Sequence, residues 1–235
     1  MSETTGRTGI ATTASWQPMA FGGSDARRIS DAFFEPRWPG RRVLVELARG
    51  AVTFRDIDLG ERPRTDALRA AIAAAAGADE LVLDGYLLPG PLPAADTPPL
   101  PPSSTAGITR SGLLRQILVG SLGRRNAEPG RPAPELEVVA LPADGPIVFA
   151  AVDLLWLDGE PLIDLPLGER KRLLEVVVAD GELVRRTVGV RAPAERWHGQ
   201  WRALGFEEMA VKAANSRYRP GGLSPEWAIV PIPRP

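Results

Sequence analysis

Two short runs near the start of the chain, each either β-branched or alternating between apolar and polar residues, predict a β-hairpin. The runs cover residues 43–47 and 51–58, with a glycine-containing turn between them. An alanine-rich segment over residues 66–76 follows, and it predicts a helix because a threonine can cap its start and a glycine can end it. A further strand is expected over residues 80–88.

Apolar periodicity in the rest of the chain predicts more strands and helices. The strands are expected over residues 135–141, 147–157, 183–190, 209–213 and 227–232, and the helices over residues 108–122, 167–178 and 193–204. Strands outnumber helices and the two kinds interleave, so the sequence favours an α+β fold with antiparallel sheets.

Two stretches lack any apolar period. Residues 1–14 are rich in Thr, Gly and Ser and predict a disordered tail. Residues 89–107 contain seven prolines, a composition that favours an exposed, extended loop over a helix or a sheet.

Composition excludes several classes of protein. The chain of 235 residues has no cysteine, which removes disulfides, thiolate metal sites and cysteine nucleophiles. Its 28 basic and 29 acidic residues give a formal net charge of -1, so any contact with DNA needs a local basic patch. No apolar run approaches the length of about 18 residues that a membrane span needs, and no secretion signal is visible. We therefore expect a cytoplasmic protein without a membrane partner.

The most specific feature of the sequence is a set of motifs in a fixed order. They are Phe34-Glu35-Pro36-Arg37-Trp38-Pro39-Gly40-Arg41-Arg42, Leu83-Asp84-Gly85, Val152-Asp153-Leu154-Leu155, Glu169-Arg170-Lys171 and Glu207-Glu208-Met209-Ala210-Val211-Lys212. Together they resemble the adenylation domain of ATP-dependent DNA ligases, closest to the small bacterial ligases of the end-joining type. In that family the first motif is Glu-Pro-Lys-x-Asp-Gly-x-Arg, and the last is Asp/Glu-Gly-hydrophobic-x-x-Lys.

The resemblance implies a fold and a set of partners. The fold is an ATP-grasp-like nucleotidyltransferase domain over residues 15–235, in which two antiparallel sheets flanked by helices hold ATP between them. The chain ends where that domain ends, so we expect it to lack the OB-fold domain that active ligases place next. The implied partners are nicked or broken DNA and a DNA-repair protein.

The family's chemistry begins with a lysine amine that attacks the α-phosphate of ATP, and this chain has Arg37 at the matching position. A guanidinium stays protonated and its lone pair is delocalised, so it can bind a phosphate but cannot act as this nucleophile. The sequence therefore predicts no catalytic residue here. It leaves a nucleotide- or phosphate-binding remnant of Glu35, Arg37, Arg42 and Lys212.

The expected cofactors, ATP and Mg²⁺, also lose family contacts. Tyr86 stands where the family has a carboxylate that helps to hold Mg²⁺, and Val152 stands where an aromatic ring stacks on adenine. Glu207 is the remaining candidate metal ligand. Glu208 replaces the motif's glycine and puts a bulky charge where the backbone should approach the nucleotide. Binding of ATP and Mg²⁺ is accordingly predicted to be weak or lost.

Three functions remain open at this point. The first is a catalytically inactive pseudoenzyme with a binding or scaffolding role linked to DNA repair. The second is a functional ligase or nucleotidyltransferase whose chemistry has been relocated or is supplied by a partner. The third is a protein-interaction module that uses the Pro-rich loop of residues 89–107.

Several of these side chains also have ordinary structural interpretations. Lys212 could form a surface ion pair with Glu207 or Glu208. Asp153 lies in an apolar strand and needs a partner if it is buried, so a structural pair is favoured over a site residue. His198, the only histidine, is expected on the solvated face of its helix.

Overall fold

The computed structural model describes residues 10–23, 25–60, 63–91, 141 and 145–234. Within these residues the chain forms twelve strands, three α-helices and two short 3-10 helices. In chain order the strands and α-helices are β1 (Ala20–Phe21), β2 (Ala32–Pro36), β3 (Arg41–Ala48), β4 (Ala51–Phe54), α1 (Pro63–Ala75), β5 (Glu80–Pro89), β6 (Ile147–Leu157), β7 (Glu160–Pro161), α2 (Leu167–Val177), β8 (Val184–Arg186), β9 (Val190–Arg191), α3 (Glu195–Ala203), β10 (Glu208–Ala213), β11 (Leu223–Ser224) and β12 (Trp227–Pro231).

Two main sheets organise the domain. The larger has the order β4-β3-β5-β6-β7, with β8 also paired to β6, and the smaller has the order β12-β10-β2-β9. Pairing is antiparallel as expected, except that β8 runs parallel to β6 and that β1 and β11 form a separate parallel pair. The α+β class and the two-sheet arrangement are confirmed.

The sheets are stacked between helices. Apolar side chains of α1 and α2 pack on one face of the larger sheet, and α3 packs on one face of the smaller sheet. The two remaining faces meet in a third cluster, where Leu44, Val82 and Leu155 of the larger sheet pack with Ala210 and Trp227 of the smaller one. We call this layer between the sheets the inter-sheet layer. The side chains discussed below as a candidate site lie in it.

Most predicted elements are present, and the differences have physical causes. The strand expected over 183–190 is interrupted because its first half joins the larger sheet and its second half joins the smaller one. The strand expected over 51–58 ends at Phe54, since the chain turns at Asp56, whose φ is 58°. Strand β2 was not predicted, although it carries Glu35.

Some predictions fall wholly or partly outside the described residues. These are the helix over 108–122, the strand over 135–141, and the Pro-rich loop beyond residue 91. Within the segment expected to be a tail, residues 10–13 form a 3-10 helix in which Thr13 is buried. Arg55 holds this turn by donating to the Thr13 carbonyl and hydroxyl oxygens.

One expectation about burial is wrong. His198 was placed on a solvated helix face, but only 7% of its surface is exposed and its ring centroid lies 6.2 Å from that of Trp201. Burial lowers the pKa of the His198 imidazole, against the opposing attraction of Glu195. None of the helices in the described part of the chain is long and apolar enough to cross a membrane.

Candidate functional site

The pairing of β2 with β10 brings the first and last motifs together. Side chains alternate between the two faces of a strand, so Phe33 and Glu35 of β2 share one face. Arg37, which follows the end of the strand, continues this alternation and lies on the same face. Ala210 lies opposite Glu35, and the Arg37 amide donates to the Glu208 carbonyl at 3.0 Å. This register directs the motif side chains into the inter-sheet layer.

Glu35 binds both lysines of the chain. Its Oε1 lies 2.6 Å from Lys171 Nζ of α2, and its Oε2 lies 2.8 Å from Lys212 Nζ of β10. At most 7% of any of the three side chains is exposed. Lys212 was considered for a surface pair with Glu207 or Glu208, and that interpretation is wrong. The buried pair is a diagonal contact between adjacent antiparallel strands, which only the tertiary register creates.

The charges in this cluster shift one another's protonation. Burial raises the pKa of the Glu35 carboxyl, but Lys171 and Lys212 attract its charged form more strongly, so the pKa lies below its ordinary value. Burial lowers the pKa of the Lys171 amine, partly offset by attraction to Glu35, while repulsion from Lys212 lowers it further. A single carboxylate thus faces two amines, and the surroundings of Lys171 disfavour the charged form of its amine.

Aromatic rings enclose the other lysine. The Lys212 ammonium lies 4.6 Å from the ring centroid of Trp227 and 5.8 Å from that of Phe21. A cation near the face of an aromatic ring is stabilised by about 0.5–2 kcal/mol, and more strongly where water is excluded. Lys212 is therefore held by the protein itself at the position that matches the family's phosphate-contacting lysine.

Arg37, at the position of the family's nucleophile, also has a partner inside the protein. Its Nη1 lies 2.9 Å from Glu208 Oε2, and the side chains are 10% and 8% exposed. Glu207, the candidate metal ligand, is exposed immediately before β10, and its carbonyl accepts a hydrogen bond from the Ile232 amide. The neighbouring Glu208 therefore supplies the carboxylate in this part of the layer.

Arg42 takes part in a buried network that ties the larger sheet to the segments around Met19 and Tyr218. Its Nε and Nη2 donate to the two Asp84 carboxylate oxygens at 2.9 and 2.5 Å, and its Nη1 donates to the Met19 carbonyl at 2.6 Å. The Tyr218 hydroxyl donates to Asp84 at 2.8 Å and accepts from the Met19 amide at 2.9 Å. Burial raises the pKa of Tyr218 well above its ordinary value, so the phenol stays protonated and can donate. Arg42 thus serves the scaffold.

Asp153 has the structural role that the sequence favoured. Arg170 of α2 forms a bidentate pair with it at 2.9 and 2.8 Å, and both side chains are fully buried. Asp153 Oδ1 also accepts from the Leu154 amide at 2.9 Å. The pair fastens α2 to β6. Sequence reasoning did not identify Arg170 as the partner, although the Glu-Arg-Lys motif contained it.

The motif departures Tyr86 and Val152 lie in one apolar cluster, with the half-buried ring of Trp38 packed against it. The Trp38 indole donates to the Thr187 hydroxyl at 2.8 Å, which satisfies its polar group. Burial raises the pKa of Tyr86. Tyr86 and Val152, both buried in this apolar cluster, therefore stand where the resemblance places a metal-binding carboxylate and an adenine-stacking ring.

Two motif glycines are retained for steric reasons. A Cβ at Gly85 would lie 2.4 Å from the ring of Phe149 and 2.5 Å from the Ala150 carbonyl oxygen, and one at Gly40 would lie 2.4 Å from the Leu87 carbonyl oxygen. These distances are far shorter than van der Waals contact. Both glycines are needed to bring neighbouring backbone close, whatever the chemistry of the site.

A nucleotide that bound at these residues would have to displace partners inside the protein. The expected phosphate-binding cations, Arg37, Arg42 and Lys212, each hold an internal carboxylate. The described residues do not bring three acidic or histidine side chains together in a group that could hold a metal ion.

Known proteins of one family are similar to this chain. The family model described as "ATP dependent DNA ligase domain" matches residues 109–229. A DNA ligase of Thermococcus onnurineus is 36% identical over 86 residues, which cover 35% of this chain and 15% of that protein. The multifunctional non-homologous end joining protein LigD of Mycolicibacterium smegmatis is 26% identical over 200 residues, which cover 83% of this chain and 20% of that protein.

Solved structures share the fold. The ligase domain of M. tuberculosis LigD matches with a TM-score of 0.58 at 23% identity, covering 92% of this chain and 59% of that one. A mycobacterial DNA ligase D complexed with ATP and MES matches with a TM-score of 0.57 at 24% identity, covering 92% of this chain and 60% of that one. The family model spans 121 of the 235 residues, just over half. The chain therefore belongs to the ATP-dependent DNA ligase family, in which it corresponds to the adenylation domain.

Proposed function

We propose that this chain is a ligase-like adenylation-domain protein without self-adenylating activity, with a binding or scaffolding role linked to DNA repair. One observation carries the proposal: Arg37 stands at the nucleophile position and is ion-paired with Glu208, while the chain's two lysines are both held on Glu35. The relatives are named as DNA ligases and as an end-joining protein, which supports the link to DNA repair.

The chemical reason is the state of the three nitrogen groups. Attack on a phosphate needs a neutral amine with a free lone pair. Arg37 cannot supply one because a guanidinium has no acceptor and stays charged in proteins. Lys171 and Lys212 are buried, and their ion pairs with Glu35 tie up the amines that would have to reach a substrate.

The motif residues that are retained also support a scaffold role. Asp153 and Arg170 hold a helix to a strand, Arg42 and Asp84 pair two neighbouring strands of the larger sheet, and Gly85 allows close packing. The residues that depart from the family pattern are those to which the family's chemistry is assigned.

One observation favours relocated chemistry as a second candidate. Burial lowers the pKa of Lys171, which brings one amine closer to the neutral form that a nucleophile requires. A partner that opened the inter-sheet layer could expose this amine. We propose this activity only as the alternative outcome of the same experiment.

Intact-mass spectrometry tests both candidates. The full chain is incubated with Mg-ATP, with and without nicked DNA, beside a mycobacterial DNA ligase D domain as the reference protein. We expect no AMP adduct on the wild type or on Arg37→Lys, because Tyr86 and Glu208 remain in the latter. An adduct on the wild type would refute the proposal, and its peptide position would show whether Lys171 or Lys212 carries it.

The proposed binding role has its own measurement. Fluorescence anisotropy with a labelled nicked duplex should give saturable binding that weakens as salt rises, since phosphate contacts release counterions. The absence of binding at low salt would remove DNA as a direct partner and leave a repair protein as the remaining candidate.

A further inference from the structure

Two departures from the family motifs meet each other in the fold. Arg37 replaces the lysine of the first motif and Glu208 replaces the glycine of the last, and 171 positions separate them in the chain. They nevertheless lie opposite each other across β2 and β10, joined by a backbone hydrogen bond of 3.0 Å and a side-chain ion pair of 2.9 Å. The added carboxylate thus neutralises the added guanidinium.

We propose that the Glu208 carboxylate is an internal ligand of an anion site at Arg37, which keeps polyphosphates out of the inter-sheet layer while the ion pair is closed. This inference rests on the proposed function, because it describes how the inactive site is kept closed. The ligand class is an inorganic or organic polyphosphate. A planar guanidinium suits phosphate and carboxylate equally, so one can replace the other.

The charge balance of the layer supports an anion as the displacing ligand. Among the described residues, the ion pairs of Arg37, Arg42 and the two lysines contain four cations and three carboxylates. The cations are Arg37, Arg42, Lys171 and Lys212, and the carboxylates are Glu35, Asp84 and Glu208. Among these described groups the cations exceed the carboxylates by one, and removal of the Glu208 charge raises that excess to two.

These groups act on a common neighbour, which shows that they share one electrostatic environment. Arg42, Asp84, Arg37 and Glu35, drawn from both sheets, all contribute to the pKa of Tyr86, whose own burial raises it. An anion near Arg37 would therefore interact with the charges of Arg42, Asp84 and Glu35 as well as with one guanidinium.

The position of the pair makes displacement feasible. The Arg37 and Glu208 side chains retain 10% and 8% exposure, while Glu35 and Lys212 are 2% exposed each. Solvent therefore reaches the Arg37–Glu208 pair more readily than the deeper Glu35 cluster. An anion could replace Glu208 at Arg37 without entering that cluster.

Isothermal titration with inorganic tripolyphosphate at low ionic strength tests the inference. Glu208→Gln removes the internal ligand, and Glu207→Gln is the matched control because it makes the same charge change at the adjacent, exposed residue. We expect Glu208→Gln to bind tripolyphosphate at least ten times more tightly than the wild type or Glu207→Gln. The double variant Arg37→Gln with Glu208→Gln should return to the wild-type affinity. Equal affinity of the two single variants would overturn the inference.

A second substitution covers the case in which Glu208→Gln fails to fold. Glu208→Asp keeps the charge but shortens the side chain, which lengthens the 2.9 Å ion pair. We expect its affinity for tripolyphosphate to rise at least threefold, and an unchanged affinity would overturn the inference. An AMP adduct on the wild type would refute the proposed function, whereas the tripolyphosphate comparison tests Glu208 alone.

Discussion

Replacing Glu35 by Gln should destabilise the fold strongly, because it leaves two buried ammonium groups without their carboxylate. The amide has the same shape as the carboxylate, so the substitution changes charge and leaves packing almost unaltered. Glu35 is 1% exposed, and neither Lys171 nor Lys212 can turn toward water without disturbing the inter-sheet layer.

The size of the effect follows from the geometry. At 2.6 and 2.8 Å, each ion pair has a Coulomb attraction of about 6 kcal/mol for an effective dielectric constant of about 20. Desolvation already offsets much of this attraction, and loss of one partner from a buried pair costs about 3–5 kcal/mol. We therefore expect the free energy of unfolding to fall by about 3–5 kcal/mol.

Protonation sets a ceiling on the loss. A buried lysine can release its proton instead of staying charged, and an ordinary pKa of 10.5 makes this cost about 4.8 kcal/mol for each of the two lysines at pH 7. The cost falls by about 1.4 kcal/mol for each pH unit above 7. Burial lowers the pKa of Lys171 in the folded protein. The charged form of this buried lysine therefore destabilises the fold at neutral pH, and the free energy of unfolding rises again as the pH rises and the amine loses its proton.

Urea unfolding of the wild type and Glu35→Gln at pH 7 and pH 9 measures both effects. The difference between the two proteins should be large at pH 7 and smaller at pH 9. Glu207→Gln, which changes the same charge at an exposed site, should stay within about 0.5 kcal/mol of the wild type. A loss of unfolding free energy below about 1 kcal/mol for Glu35→Gln would refute the reasoning, since an exposed ion pair contributes no more than that.

Three further predictions concern the scaffold and can be checked by urea unfolding. Gly85→Ala should cost about 1–3 kcal/mol through steric overlap, whereas Gly181→Ala, where a Cβ meets nothing within 4 Å, should cost much less; equal losses would contradict the packing argument. Arg170→Leu should lower the free energy of unfolding by about 3–5 kcal/mol, because it leaves the buried Asp153 carboxylate without its ion-pair partner. Adding Asp153→Leu should restore much of this stability. A double variant whose loss equals the sum of the two single losses would contradict the prediction. Because burial lowers the pKa of His198, the free energy of unfolding should fall as the pH drops below about 6.5, by at most about 1.4 kcal/mol per pH unit. His198→Gln should remove this pH dependence. An unchanged slope in that variant would assign the pH dependence to other groups.

The retained and altered motif residues separate by the role each plays in the fold. Gly40 and Gly85 remain because a Cβ would overlap neighbouring backbone or ring atoms. The Asp153–Arg170 pair remains as a bidentate contact between a strand and a helix. Where Arg37 and Glu208 depart from the family pattern, they compensate each other. The altered positions are thus built into the packing of the domain.

The sequence alone determined the local elements and the family. Strand β6 has the predicted bounds of residues 147–157, and α2 differs from its prediction by one residue, because apolar periodicity depends on near neighbours in the chain. The motif order predicted the two-sheet fold, and the Arg at the nucleophile position was visible without coordinates. The short strand β2 was missed, since five residues carry too little periodic signal.

Only the tertiary structure decided which charges meet. Lys212 and Glu35 are 177 positions apart, and Arg37 and Glu208 are 171 apart, so no local pattern could pair them. Their contacts depend on the register of β2 against β10, and a shift of one residue would move Glu35 to the opposite face. Burial of His198 likewise depends on what packs against its helix. Residue type determines what a side chain can do, and long-range packing determines which partner and how much water it meets.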